Sequence, residues 1–258
     1  MDRFFVERNN IDEKNKKLLI TGEDVKHISR VLRCKSGDEI EVCDGMNNEY
    51  VCSIDDIEKD CIRCSILKNI DIKRESNIRV KLYQGLPKST KMEIILQKLT
   101  ECGVDEIILV DTKRSVVNLD EKKSDKKIQR WERIVYEAAK QSKRGIIPKI
   151  RGVISFDEAL KDMNKNDLNI SPYESEKTLG ISKVLKEYKN KISDSSNEIN
   201  VGVFVGPEGG FAEEENEKIK DIGAYSVSLG PRIFRTETAS IVATSIVLYE
   251  LGDIGGEN

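Results

Sequence analysis

Two glycine-rich turns in the last quarter of the chain are the features best suited to chemistry. The first turn, Gly206–Phe211, follows the apolar run Val201–Val205. The second turn, Leu229–Ala239, begins at the last residue of the strand-like run Tyr225–Leu229. Each segment is typical of a strand, a tight turn and a helix. Glycine lets backbone N–H and C=O groups approach a ligand closely because no Cβ intervenes. The pair therefore predicts one small-molecule pocket built largely from backbone.

A nucleotide phosphate is the obvious ligand for such turns, and the sequence argues against it. A P-loop ends in Gly-Lys-Ser/Thr, whereas the first turn ends in Gly-Gly-Phe, and no G-x-G-x-x-G motif opens a helix. The next helix begins with Glu213, Glu214 and Glu215, which already complement its positive end. The turns therefore favour a ligand with a cationic or neutral edge.

The elements that must position these turns follow from the pattern of the rest of the chain. From Ile78 onward, strands alternate with longer helices, which predicts an α/β fold with a parallel sheet between helices. The predicted strands are Ile78–Gln84, Glu106–Val110, Asp167–Ile170, Val201–Val205 and Tyr225–Leu229. The predicted helices are Ser89–Cys102, Ser124–Ser142 and Thr236–Leu251, with a polar surface loop at Lys189–Asn200. The last helix is apolar on nearly every side, which indicates burial on more than one face.

The first seventy residues differ, because they contain short strands and one helix. Glu23–Arg33 is predicted to be helical, with Val25, Ile28, Val31 and Leu32 on one face. The predicted strands are Lys17–Ile20, Glu39–Cys43, Glu49–Ile54 and Cys61–Leu67, the middle two forming a hairpin around Asp44-Gly45. The pattern predicts a small β-barrel domain over residues 1–74 and the α/β domain over residues 75–258.

Composition sets the broad class of the protein. The chain has 258 residues, of which 34% are charged and 5% aromatic, typical of a soluble globular protein. No apolar run approaches the roughly 20 residues needed to span a bilayer, and no secretory signal pattern opens the chain. We therefore expect a cytoplasmic protein.

The charge is unevenly distributed. The net charge is −3, yet residues 113–151 carry 13 Lys and Arg against 5 Asp and Glu. Such a basic segment predicts a phosphate-facing surface, with a solvated helix face as the alternative.

The cysteines favour packing over metal binding. Cys61 and Cys64 have the spacing of half a zinc site, but a second Cys or His pair is missing from the sequence. Cys43 and Cys52 lie in alternating strand-like runs, where cysteine acts as a small apolar residue. We therefore expect no structural metal and, in a cytoplasmic chain, no disulfide.

Motifs along nearly the whole chain resemble one family. Their order is Arg3–Val6, His27–Arg33 with Gly37-Asp38, Lys91–Lys98 with Glu101 and Gly103-Val104, Arg114–Val117, Arg130–Ile134, Glu137–Ser142 and the two turns. Together they resemble the RsmE family of SPOUT methyltransferases. Two residues depart from the family pattern: Lys143 stands where glycine is usual, and Phe234 stands where leucine is usual. Both raise a question of local packing.

The resemblance implies a fold and an activity. The fold is a PUA-like RNA-binding β-barrel domain followed by a SPOUT domain with a deep trefoil knot, an exception to the usual topology rule. The activity is S-adenosylmethionine-dependent methylation of N3 of one uridine in 16S rRNA, uridine 1498 in the family. The cofactor would lie among the knot loops, and the family's members are typically homodimers. The apolar last helix fits a position inside the knot and against a partner subunit, with a monomer core helix as the alternative.

The resemblance also carries site residues. The cofactor-binding residues of the two turns would be Gly206, Pro207, Glu208, Gly209, Gly210, Leu229, Gly230, Ile233 and Arg235. Pro172 and Glu174 would form a third loop of the pocket, on the basis of position more than motif. RNA contacts would come from Arg30, Arg33, Lys35, Arg114, Gln141, Lys143 and Arg144, which would hold the backbone without reading sequence.

Methylation of uracil N3 requires removal of its proton or stabilisation of the resulting anion. The one histidine, His27, lies in the first domain, so a histidine base in the second is excluded by composition. His27 itself suits either RNA contact or local packing. The catalytic candidates are Arg232, Arg235 and Glu237, although Glu237 also suits the role of a charge complement at a helix start.

Two other functions stay open on these residues. A SPOUT enzyme could instead methylate a ribose 2′-hydroxyl, or the fold could serve as a non-catalytic RNA-binding or ribosome-assembly factor. The segment Arg114–Val117 and the first domain favour the uridine-N3 activity, and the intact cofactor turns argue against a non-catalytic role. A uridine must be exposed or flipped to present N3, so we expect selection by rRNA shape, within the small ribosomal subunit.

Overall fold

The chain folds into two compact units. The structure, a computed structural model, describes residues 1–71, 74–115, 121–192 and 198–255, with the backbone alone for Ser89 and 121–125. The first unit comprises Met1–Glu75 and Ala139–Ile147, and the second comprises Ser76–Ala138 and Pro148–Asn258. The predicted boundary after residue 74 assigned residues 139–147 to the α/β domain, whereas these residues make their contacts within the first unit. Two residues of the motif Arg114–Val117, Val116 and Val117, and the centre of the predicted loop Lys189–Asn200 lie outside the described residues.

The first unit is built around a curled six-stranded sheet. Its strands are β1 (Arg3–Phe5), β2 (Ile11–Asp12), β3 (Lys17–Thr21), β4 (Glu39–Cys43), β5 (Glu49–Ile57) and β6 (Cys61–Ile70). The strand order is β1-β4-β5-β6-β3-β2, antiparallel except for the β1–β4 pair. The hairpin of β4 and β5 is present as predicted. Alternate residues such as Ile40, Val42 and Cys52 fill the core, as expected of strands with one buried face.

The helix of this unit departs from the sequence expectation. A short helix α1 (Glu23–Lys26) continues as a π-helical segment over His27–Leu32. Val25 and Ile28 are buried as predicted, but Val31 is 66% exposed. The prediction for Val31 was wrong because the wider π winding turns the side chain off the face that an α-helix would give it.

The second unit is a six-stranded parallel sheet with helices, which confirms the predicted α/β class. Its strands are β7 (Ile78–Gly85), β8 (Glu106–Asp111), β9 (Lys149–Ser155), β10 (Leu168–Pro172), β11 (Ile199–Val205) and β12 (Tyr225–Val227). Its helices are α2 (Ser89–Cys102), α3 (Glu121–Gln141), whose last residues belong to the first unit, α4 (Phe156–Met163), α5 (Ile181–Ile192), α6 (Glu213–Asp221) and α7 (Thr236–Leu251). The strand order is β12-β10-β11-β7-β8-β9.

This order brings the loops of interest together. The sheet grows outward from β7 in both directions, with β8 and β9 on one side and β11, β10 and β12 on the other. In parallel sheets, ligands bind beyond the carboxyl ends of the strands where the direction of growth reverses. Helix α7 has the predicted bounds and packs against α2, α5, β7 and β11.

The sequence did not predict β9, α4 or α5. β9 is an edge strand that carries Lys149, Arg151 and Gly152, which weakens its strand signal. The deep trefoil knot stays a prediction. Within the described ranges, no helix has the length and apolar character needed to cross a membrane.

Candidate functional site

A cavity of about 810 Å³ opens in the second unit where the loops after β10, β11 and β12 meet. Both glycine-rich turns and the start of α7 form its walls. Every predicted cofactor residue lines it, namely Pro172, Glu174, Gly206, Pro207, Glu208, Gly209, Gly210, Leu229, Gly230, Ile233 and Arg235. The structure thus brings together residues that the family resemblance grouped by motif and, for Pro172 and Glu174, by position.

The first turn is packed too closely for larger residues. A Cβ on Gly206 would lie 3.1 Å from the carbonyl carbon of Gly210, and one on Gly210 would lie 2.8 Å from Glu174 Oε1. Gly210 also has a φ of +66°, which side chains rarely adopt. The glycines therefore allow the turn to fold on itself and to accept the Glu174 carboxylate at its side.

The acidic residues in the first turn of α6 already complement the positive N-terminal end of that helix. Glu215 is buried, and its carboxylate accepts hydrogen bonds from the N–H of Ala212 at 2.9 Å and of Lys113 at 2.9 Å. Glu214 pairs with the Lys113 side chain. A phosphate at this helix end would meet fixed negative charge, in agreement with the argument against a phosphate site.

Glu208 is held as an anion at the edge of the cavity. Burial opposes its ionisation, but a hydrogen bond from the Lys88 N–H at 3.1 Å and the charge of Lys91 together lower the pKa of the Glu208 carboxyl. Lys91 Nζ lies 3.4 Å from Glu208 Oε1 and 3.3 Å from Glu237 Oε2. A carboxylate with a lowered pKa is a weak base and a good partner for a cation.

The second turn presents two arginines to the cavity. Arg232 and Arg235 both line it and are exposed, and in the described part of the chain neither guanidinium pairs with a carboxylate. Arg235 is also the N-cap residue of α7. Ile233 is 85% exposed, so its side chain is accessible to a ligand. Phe234, the departure from the family's leucine, is half-buried and lines the same wall.

Glu237 stands apart from the other predicted catalytic residues. It is in the first turn of α7, does not line the cavity, and its carboxylate pairs with Lys91. Its position fits the alternative noted for it, a negative charge at a helix start.

Sequence reasoning missed two residues of this site. Gln84, at the end of β7, is fully buried and bonds to both the first turn and α7. Lys91 bridges Glu208 and Glu237 and lines the cavity. An amide directly after the apolar pair Leu82-Tyr83 was the one available signal for Gln84, because its partners in the first turn and α7 are more than 100 residues away.

Arg114, predicted to contact RNA, lies beside the first turn. Its Nη1 donates a hydrogen bond to the Gly209 carbonyl at 2.8 Å, and a Cβ on Gly209 would lie 3.1 Å from Arg114 Cβ. Arg114 is otherwise exposed. It therefore supports the turn and also presents positive charge to solvent.

The other predicted RNA contacts belong to the first unit, and most are accessible. Arg30, Arg33, Lys35 and Gln141 are exposed, and among the described residues none of the three basic side chains forms an ion pair. His27 is exposed, with its ring edge against Phe4 at a centroid distance of 6.2 Å.

Lys143 and Arg144 serve the first unit in different ways. Lys143 is partly exposed, pairs with Glu41 at 3.0 Å and has a φ of +57°, which explains why the family prefers glycine there. Arg144 is 5% exposed, and its guanidinium forms two hydrogen bonds to Glu75, of 3.0 and 2.7 Å. This burial argues against direct RNA contact by Arg144 and indicates a structural role.

The cysteines lie in ordinary packing positions. Cys61 and Cys64 sit on β6 three residues apart, so Cys64 enters the core while Cys61 faces the solvent side near Glu58. Among the residues that the structure describes, no group of His, Cys, Asp and Glu could hold a metal ion.

Two domain families of RNA methyltransferases match this chain. A family model described as the RNA methyltransferase domain matches residues 74–248, and one described as the RNA methyltransferase PUA domain matches residues 20–67. The chain belongs to this RNA methyltransferase family.

Individual relatives make the assignment more specific. Ribosomal RNA small subunit methyltransferase E of Bacillus subtilis is 36% identical over the full length of both chains, and that of Aquifex aeolicus is 31% identical over 92% of this chain and 96% of its own. A crystal structure of ribosomal RNA small subunit methyltransferase E from Neisseria gonorrhoeae, bound to S-adenosyl methionine, is also similar. It has a TM-score of 0.80 and 28% identity, and the match covers 96% of this chain and 97% of that one. The resemblance to the RsmE family is confirmed.

Proposed function

We propose that this protein transfers a methyl group from S-adenosylmethionine to N3 of one uridine in 16S rRNA, the position numbered 1498 in the family. The observation that carries the proposal is the cavity in which both glycine-rich turns meet the loop after β10. Full-length similarity to small-subunit rRNA methyltransferases supports the rRNA substrate. The segment Arg114–Val117 and the first unit support the choice of N3.

The cavity fits the cofactor S-adenosylmethionine. Its volume of about 810 Å³ lies within the range of small-molecule sites. Leu229, Ile233 and Val205 supply apolar surface, and Glu174 and Glu208 supply negative charge for cationic groups. The glycines of the first turn place no Cβ between its backbone and the cavity. When bound there, the cofactor supplies an electrophilic methyl group.

The side chains around the cavity suit the uracil chemistry. Loss of the N3 proton spreads negative charge onto the flanking carbonyl oxygens, and Arg232 or Arg235 can stabilise that charge. Positioning supplies the rest of the rate, because the reacting nitrogen must be held in line with the methyl group. Glu208 is a weak base with a lowered pKa, so we assign it to cation binding. Glu237 acts through Lys91 and not as the proton acceptor.

RNA contacts are proposed for the accessible cations of each unit. Arg30, Arg33 and Lys35 supply an exposed basic surface in the first unit, with Gln141 and Lys143 as further contacts. In the second unit Arg114 supplies positive charge beside the cofactor turn. Arg144 is left out because its guanidinium is buried against Glu75.

A homodimer is proposed on the evidence of α7. Ile241, Val242 and Ile246 are only partly buried in one chain, and Tyr249 is 61% exposed. Apolar residues left on the surface of a largely buried helix favour a partner subunit. With rRNA of the small subunit as substrate, the site of action is the cytoplasm.

Transfer of a radiolabelled methyl group to unmodified small-subunit rRNA tests the proposal. We expect incorporation by the unsubstituted protein and a loss of roughly 100-fold or more in Arg235→Ala, the cost of removing a group that stabilises developing charge. Lys218→Ala, a cation on α6 outside the cavity, is the matched control and should keep full activity. Full activity of a folded Arg235→Ala would remove Arg235 from the catalytic set.

A further inference from the structure

Gln84 ties together three segments of the second unit that are distant in sequence. It is the penultimate residue of β7, and its side chain is fully buried. Its Nε2 donates to the Gly85 carbonyl at 2.9 Å and to Thr236 Oγ1 at 3.0 Å, and its Oε1 accepts from Ser240 Oγ at 2.5 Å. Thr236 Oγ1 in turn donates to the Gly206 carbonyl at 2.6 Å. A continuous chain of hydrogen bonds therefore runs from α7 through β7 to the first turn.

The Gln84 amide can satisfy these partners in one orientation only. A reversed amide would place its oxygen against the Gly85 carbonyl, which is an acceptor without a proton to give. Its oxygen would also compete with the Gly206 carbonyl for the single proton of the Thr236 hydroxyl. The direction of the whole chain is thus fixed, and the Thr236 hydroxyl is committed to the Gly206 carbonyl.

Two residues of this hydrogen-bond chain line the cavity, whereas Gln84 does not. Gly206 and Thr236 line the cavity, one in the first turn and one at the start of α7. The backbone beside Gln84 is also in close contact with the turn, because a Cβ on Gly85 would lie 2.6 Å from Pro207 Cδ. The hydrogen bonds of Gln84 therefore fix the spacing between the first turn and α7.

We propose that Gln84 is a positioning residue. It fixes the distance between the first turn and α7, the two cavity walls that would contact the cofactor. The role rests on the proposed function, because the ligand in question is the cofactor. Gln84 does not line the cavity and acts through Thr236 and the Gly206 carbonyl. A buried, fully bonded amide is rigid, and rigid support of a site lowers the cost of binding.

Calorimetric binding of S-adenosylhomocysteine, measured beside thermal unfolding, separates positioning from general stability. Gln84→Met keeps the side-chain volume close and removes both the donor and the acceptor, and Ser240→Ala removes only one bond to Gln84. Tyr83→Phe is the matched control: Tyr83 is the preceding residue of β7, is equally buried, and its hydroxyl bonds to Asp162 at 2.9 Å, away from the cavity lining.

We expect Gln84→Met to lose about tenfold or more in affinity, Ser240→Ala to lose a smaller factor, and Tyr83→Phe to unfold at a lower temperature with unchanged affinity. Should Gln84→Met fail to fold, Ser240→Ala carries the test. The role is overturned if the folded Gln84 and Ser240 variants bind as the unsubstituted protein does, or if Tyr83→Phe loses affinity equally. Absence of binding by the unsubstituted protein would instead overturn the proposed cofactor site.

Discussion

Lys91 Nζ lies 3.3 Å from Glu237 Oε2, so a residue of α2 neutralises a carboxylate at the start of α7. The same ammonium lies 3.4 Å from Glu208 Oε1 in the first turn. One cation thus links the first turn to the start of α7, the two segments that Gln84 also connects by buried hydrogen bonds.

Replacement of Lys91 by Met should destabilise the protein. Both carboxylates are mostly buried, with side chains 22% and 14% exposed, and they would be left without their cation. We expect the free energy of unfolding to fall by about 1–2 kcal/mol, between the values for exposed and buried pairs. Urea denaturation measures this change. Lys218→Met, which breaks an exposed pair with Asp157, is the control and should cause no measurable loss; an equal loss in both variants would contradict the bridging role.

The departure at Lys143 has a predictable cost. Its φ of +57° suits glycine, so Lys143→Gly should relieve strain while Lys143→Ala should not. Both variants lose the ion pair with Glu41, and they differ only in the Cβ. We expect Lys143→Gly to be more stable than Lys143→Ala by about 1 kcal/mol in urea denaturation. Equal stability would show that the left-handed conformation is not retained in solution.

The exposed arginines of the first unit should contribute to RNA affinity through charge. Arg30→Gln and Arg33→Gln should each weaken binding to 16S rRNA and reduce the slope of log affinity against log salt by about 1. Fluorescence anisotropy over a salt series provides both values. Arg63→Gln is the matched control, because Arg63 is exposed in the same unit but pairs with Glu58. Salt slopes that do not change in the Arg30 and Arg33 variants would place the RNA elsewhere.

The buried thiols of the first unit should be unreactive at neutral pH. Burial raises the pKa of Cys43 to about 11 and the pKa of Cys52 and of Cys64 to about 12, from an ordinary value of 9.0. Because the folded-state pKa is raised, these thiols contribute stability below pH 9.0 that is lost as pH rises toward about 12. Titration with a thiol reagent at pH 8 should leave these three cysteines protected until the chain is denatured. Rapid modification of all six cysteines in the folded protein would contradict the packing of this core.

Local pattern predicted the parts of the site that depend on local conformation. The two turns and the bounds of α7 follow from glycine positions and apolar runs. The cofactor residues came from the family resemblance, and all of them line one cavity. Gln84 and Lys91 could not be found this way, because their roles arise from partners brought near by the sheet order. The same limit applies to Arg144, which is basic in sequence but is neutralised by Glu75, 69 residues away. Val31 shows a different limit, since a π-helical segment changes which face a residue occupies.

The most direct test of the central claim is the identity of the methylated nucleoside. Small-subunit particles and free 16S rRNA that lack the modification are incubated with the protein and S-adenosylmethionine, digested, and analysed by nucleoside mass spectrometry. We predict new 3-methyluridine in at least one substrate, and the comparison shows whether assembled particles are required. A ribose-methylated nucleoside, or no methylation by a protein that binds the cofactor and both RNA substrates, would contradict the assignment.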